Sequence, residues 1–132
     1  MQVTRFERLE VYGFAVRLGD EAWRLVRSWG TFERDTIGKQ LVRAADSVGP
    51  NLAEGTGRDS ARENLRFASF ARGSLYESKH CLMLSRRRGI GRELEVGALV
   101  RLVDELIPRL NAYRNALRLR ARPTVRAGAT AD

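Results

Sequence analysis

The chain has 132 residues, 43% of them hydrophobic and 30% charged, with 24 basic against 16 acidic side chains and a net charge of +8. That length suits one domain whose core holds without disulfides, and a lone cysteine, Cys81, excludes a disulfide framework and a cysteine zinc site. No apolar run reaches the roughly 18 residues of a membrane span, and Met1–Arg5 lacks the apolar stretch of a signal peptide, so a cytoplasmic protein is expected.

The first helix is predicted from Phe6 to Trp29. Val11, Phe14, Ala15, Leu18, Ala22, Leu25, Val26 and Trp29 recur at three- and four-residue steps and form one face, and Gly30 follows as a C-terminal cap. The second helix, Asp35 to Glu54, has the apolar stripe Ile37, Leu41, Ala44, Ala45, Val48 and Leu52. Pro50 removes a backbone donor there, which predicts a kink or break between Asp46 and Pro50. Gly55-Thr56-Gly57 ends the segment.

The third helix runs from Ser60 to Arg88. Ser60 and Glu63 have the spacing of a capping box, and Asn64, Phe67, Ala68, Ala71, Leu75, Ser78 and Leu82 form the inner face. After the turn Gly89-Ile90-Gly91, the fourth helix spans Arg92 to Arg120 with a heptad-like seam: Val96, Leu99, Val103, Leu106, Leu110, Tyr113 and Leu117. Pro108 falls opposite that seam. Short connections make successive helices antiparallel. The expected fold is all-α, an up-down-up-down four-helix bundle over residues 1–120, followed by a disordered basic tail over 121–132.

The catalytic inventory is thin. His80 is the sole histidine, and the adjacent Cys81 projects about 100° away on a helix, so the two form no nucleophile–base pair. A bundle di-metal centre needs Glu-x-x-His on two helices, and Glu77–His80 is the single match. Gly55-Thr56-Gly57-Arg58 lacks the lysine and hydroxyl of a phosphate-binding loop and follows a helix instead of a strand. No catalytic residue, metal ligand or cofactor is assigned, and a non-enzymatic protein is expected.

Two constellations remain. On the second helix, Thr36, Gln40, Arg43, Ser47, Asn51 and Glu54 line a stripe beside the apolar one. Such a stripe is either a semi-buried network or subunit interface, or the polar border of any amphipathic helix. On the third helix, Arg58, Arg62, Arg66, Ser69, Arg72, Tyr76 and Lys79 share the face opposite the core, with no acid in its centre. A row of positive charge with an aromatic suits a phosphate backbone; the alternative is a solvated face. Lys39 and Lys79 are the only lysines; the other basic residues are arginines. Arginine suits bidentate phosphate binding, but arginine usage also follows a GC-rich genome.

The sequence resembles the bacterial four-helix-bundle proteins encoded in intervening sequences of 23S ribosomal RNA genes, the ribosomal S23-type family. The matching residues are Phe6-x-x-Leu9-x-Val11-Tyr12-x-x-Ala15, the run from Gln40 to Arg58 centred on Asn51-Leu52-Ala53-Glu54-Gly55, and Phe67 followed by Ala71-x-Gly73-Ser74-Leu75-x-Glu77. Relatives often have proline at the place of Gly49, and a second acid, Thr and Gln where this chain has Lys79, His80 and Cys81. The resemblance implies a homo-oligomeric ring, typically a pentamer, with no established enzymatic activity. It also relates the chain to a bundle that assists the reverse transcriptase of diversity-generating retroelements, where a basic ring binds nucleic acid and the polymerase.

The residues and the resemblance together predict a non-enzymatic homo-oligomer associated with RNA or an RNP, possessing no membrane segment. Arg58, Arg62, Arg66, Arg72 and Lys79 are the predicted nucleic-acid contacts; Gln40, Arg43, Ser47, Asn51, Glu54 and Glu77 are the predicted structural or oligomer motif. The competing reading is a protein–protein interaction module, such as a reverse-transcriptase accessory, without direct RNA binding.

Overall fold

The computed structural model describes residues 2–123. Four long helices carry the fold: α1 (Glu10–Arg27), α2 (Lys39–Thr56), α3 (Ala61–Arg87) and α4 (Glu93–Ala121). A 3-10 turn, Phe6–Arg8, precedes α1; a helical turn, Thr31–Glu33, and a π-type turn, Arg34–Gly38, lead without interruption into α2. Each helix packs on its neighbour in sequence, and α4 closes the ring against α1, while the backbones of the diagonal pairs stay apart. This is the expected antiparallel four-helix bundle. The part of the expected tail beyond residue 123 lies outside the described residues.

The core follows the predicted stripes. Leu18, Leu41, Val48, Leu52, Leu75, Leu82, Val103, Leu106, Leu110 and Leu117 are fully buried. Burying one such side chain contributes about 1.5–3 kcal/mol, so this apolar interior supplies the main stabilisation of the bundle. Phe14 and Tyr113, both expected inside, are half-buried, and Leu102 joins the core beside the predicted seam. Pro108 is exposed, as its position opposite the seam required.

Helix boundaries depart from expectation in three places. Leu9 is extended (φ −75°, ψ 123°), so α1 starts at Glu10 instead of Phe6. Gly30 is not a C-terminal cap: Ser28 ends α1, and Gly30, extended at ψ 161°, starts the next helical turn. Between them Trp29 folds inward to 7% exposure. The predicted break near Pro50 does not occur, and α2 is helical through it. Pro50 is exposed, so its ring occupies the solvent side, where a missing donor is least costly.

Two close contacts fix helix spacing. A Cβ at Gly55 would lie 2.4 Å from Asn64 Oδ1 and 3.1 Å from Phe67 Cβ, so glycine is what lets α2 and α3 approach there. Between α3 and α4, Gly89 (φ 68°) and Gly91 (φ 77°) take the left-handed conformation that other residues rarely adopt. At the start of α3, Ser60 Oγ accepts from the Glu63 amide at 3.1 Å, which is half of the predicted capping box. The Glu63 side chain makes no return bond among the described residues.

Candidate nucleic-acid interface

The predicted basic row, with Arg58 in the turn before α3 and the other four cations on the helix, divides into paired and unpaired cations. Arg58 donates to Glu54 Oε1 at 2.7 Å while its guanidinium lies 4.5 Å from the Phe67 ring centre. Lys79 reaches across to α4 and donates to Asp104 Oδ1 at 2.6 Å. These two ends of the row are therefore partly neutralised. Arg62, Arg66 and Arg72 between them make no ion pair among the described residues. Arg66 instead sits 5.6 Å from the centre of the Phe70 ring, and Arg72 sits 5.1 Å from that of Tyr76. Both rings are nearly half exposed, Phe70 at 47% and Tyr76 at 44%.

The structure adds two arginines from α4. Arg114 Nε donates to Ser69 Oγ at 3.3 Å and its NH1 donates to Asn111 Oδ1 at 3.4 Å. Its proton affinity is held below the usual arginine range, first by burial and then by the positive charges of Arg72 and Arg118 beside it. Arg118 donates to Asn115 at 2.8 Å and has no carboxylate partner among the described residues. Arg72, Arg114 and Arg118 thus crowd into the crease between α3 and α4, with Ser69 and Tyr76 at its edge. Sequence reasoning missed the α4 members because a helical face shows only residues of one helix. The run Arg114, Arg118, at four-residue spacing, was the available signal.

The predicted stripe on α2 has a local explanation. Ser47 Oγ donates to the Arg43 carbonyl at 2.7 Å, and Asn51 Nδ2 donates to the Ser47 carbonyl at 2.8 Å, so both half-buried side chains bond their own helix. Glu54 pairs with Arg58, in an exposed pair of the kind worth about 0.2–1 kcal/mol. Gln40 and Arg43 are exposed. Glu77 is exposed too, and its charge, after burial, helps to raise the pKa of the Cys81 thiol. The aromatic at Tyr12 has a packing role: it meets Phe6 edge-on at 4.9 Å and would be 3.5 Å from a Cβ at Gly49.

Other chemistry is sparse. His80 is exposed, and no group of three His, Cys, Asp or Glu side chains is placed to hold a metal among the described residues. No described helix is long and apolar enough to cross a membrane.

A profile of the family described as 23S rRNA-intervening sequence protein matches residues 7–112. The chain belongs to this family. The match spans α1 to α3 and most of α4, so the bundle is that of a 23S rRNA-intervening sequence protein, while Arg114 and Arg118 lie beyond the matched residues. A similar solved structure is a protein of unknown function from the S23 ribosomal protein family of Bacteroides thetaiotaomicron. It superposes with a TM-score of 0.67 at 19% identity, covering 79% of this chain and 97% of that one, and establishes a shared fold. A comparison with curated proteins gives no match.

Proposed function

We propose that this 23S rRNA-intervening sequence protein is a non-enzymatic, self-associating bundle that binds RNA through the face formed by α3 and α4. The observation that carries this reading is the set Arg62, Arg66, Arg72, Arg114 and Arg118, which has no carboxylate partner among the described residues. Burial first, and then the positive charges of Arg72 and Arg118, disfavour the charged form of Arg114 in the isolated chain. A phosphate backbone removes that repulsion and releases its own counterions. Arginine is the side chain best matched to the task, because its planar fork binds two phosphate oxygens at once.

Self-association is supported by the other side of the molecule. Trp23, 54% exposed, stands over a crease of about 400 Å³ between α1 and α2 that Val26, Val42, Arg27, Lys39 and Arg43 also line. Exposed tryptophan ringed by charge is typical of an interface anchor. A ring built on this α1–α2 side leaves the arginine crease free, and repeats it around the assembly.

Binding of labelled RNA in low-salt buffer by fluorescence anisotropy tests the reading. Wild-type protein is expected to bind, and the quadruple variant Arg62→Gln, Arg66→Gln, Arg72→Gln, Arg114→Gln to lose binding while keeping its helical content. Absence of wild-type binding leaves a protein–protein interaction module as the better description.

A further inference from the structure

Resting on the RNA reading above, we infer that the α3–α4 crease selects single-stranded RNA, with Arg72, Arg114 and Arg118 on phosphates and Tyr76 as a platform for an unpaired base. Charge alone does not distinguish a strand from a duplex; the aromatic does. Tyr76 is 44% exposed at the rim of the crease, and the Arg72 guanidinium lies 5.1 Å from its ring centre. Arg72 belongs to the same like-charge group as Arg114 and Arg118. The Arg72 guanidinium lies over one face of the Tyr76 ring, so a base would stack on the other face with the cations within reach of its phosphate.

A solvent-exposed tyrosine ring gains little from water and much from a flat partner. The bases of a duplex are stacked on one another and offer only edges and backbone, whereas those of a strand or loop are splayed and stack on aromatic side chains and guanidinium planes. Phe70, 47% exposed with Arg66 at 5.6 Å, repeats the same aromatic–arginine unit earlier on α3, about 120° round the helix from Tyr76. The crease also has the polar fittings that orient a backbone. Ser69 Oγ and Asn111 Oδ1 accept hydrogen bonds from Arg114 at 3.3 and 3.4 Å, which orient its guanidinium before a ligand arrives. At the far end, the Lys79–Asp104 pair at 2.6 Å brings in a negative charge and marks where the track stops.

The test compares a labelled pyrimidine-rich RNA strand with a blunt RNA duplex of equal length, using wild type, Tyr76→Ala, Tyr76→Phe and Arg114→Gln, each checked by circular dichroism and thermal melting. The strand is expected to bind wild type more tightly than the duplex. Tyr76→Ala should weaken strand binding about 5- to 150-fold, the loss of one stacked base, and leave duplex binding unchanged. Tyr76→Phe, which keeps the ring, should bind like wild type, and Arg114→Gln should weaken both ligands. Equal affinity for strand and duplex, or a Tyr76→Ala variant that binds the strand like wild type, overturns the inference and leaves the RNA reading standing. No binding of either ligand at low salt overturns the RNA reading and the inference with it.

Discussion

Gly55→Ala should destabilise the bundle although it places a better helix former in a helix. Alanine gains about 1 kcal/mol over glycine in a helix interior. At Gly55 the new methyl would lie 2.4 Å from Asn64 Oδ1 and 3.1 Å from both the Asn64 carbonyl oxygen and Phe67 Cβ. Asn64 has little room to yield: it is 5% exposed, and its Nδ2 donates to Tyr113 Oη on α4 at 3.2 Å. Overpacking of this kind costs about 1–3 kcal/mol, and stranding a buried amide costs about 1–3 kcal/mol more. After the propensity gain, the net loss is about 1–5 kcal/mol. Gly73→Ala is the control, since a Cβ there meets nothing within 4 Å. It should stabilise by about 0.5–1 kcal/mol. Urea denaturation reads both as shifts of the midpoint at unchanged m-value. A Gly55→Ala protein as stable as wild type, or two variants shifted in the same direction, refutes the close-approach reasoning.

Other outcomes follow from the same geometry. Burial and the neighbouring Asp20 raise the pKa of the Asp46 carboxyl, so the folded state holds its proton more tightly than the unfolded chain. That contribution is present at acid pH and lost as pH rises through the raised value; Asp46→Asn should therefore be more stable than wild type at neutral pH, with the difference vanishing in denaturation curves taken below the ordinary carboxylate range. The Cys81 thiol, buried and with its pKa raised by that burial and by Glu77, should react with a thiol reagent only when the protein unfolds; labelling of the native protein at the rate of a free thiol contradicts its placement. Trp23→Glu should shift the mass seen by light scattering from a multiple of 14.9 kDa toward the monomer, whereas a wild-type monomer at the same concentration sinks the self-association reading.

Much of the fold was legible because each helix repeats apolar residues at helical spacing. Leu18, Leu41, Leu75 and Leu106 lie in the core where periodicity put them. What periodicity does not carry are contacts that depend on a second helix. Gly30 looked like the end of one helix and is the start of another turn, because Trp29 folds into the core and redirects the chain. Pro50 looked like a break, but its ring faces solvent and the helix continues. Gly55, recognisable as part of a motif, took its meaning only from Asn64 opposite it. The candidate site shows the same limit. Arg62, Arg66 and Arg72 were visible as one face of α3, while the ion pair that occupies Lys79 and the arginines that enlarge the patch both come from α4.

The most direct test of RNA binding by this face is the dependence of the association constant on salt. If three to five of the unpaired arginines contact phosphates of a single strand, log K should fall linearly with log salt concentration at a slope of about −2 to −3.5. Each arginine replaced by glutamine among Arg62, Arg66, Arg72 and Arg114 should then flatten the slope by about 0.7. An affinity that does not change with salt, or a slope that survives in the quadruple variant, would contradict the placement of RNA on the α3–α4 face.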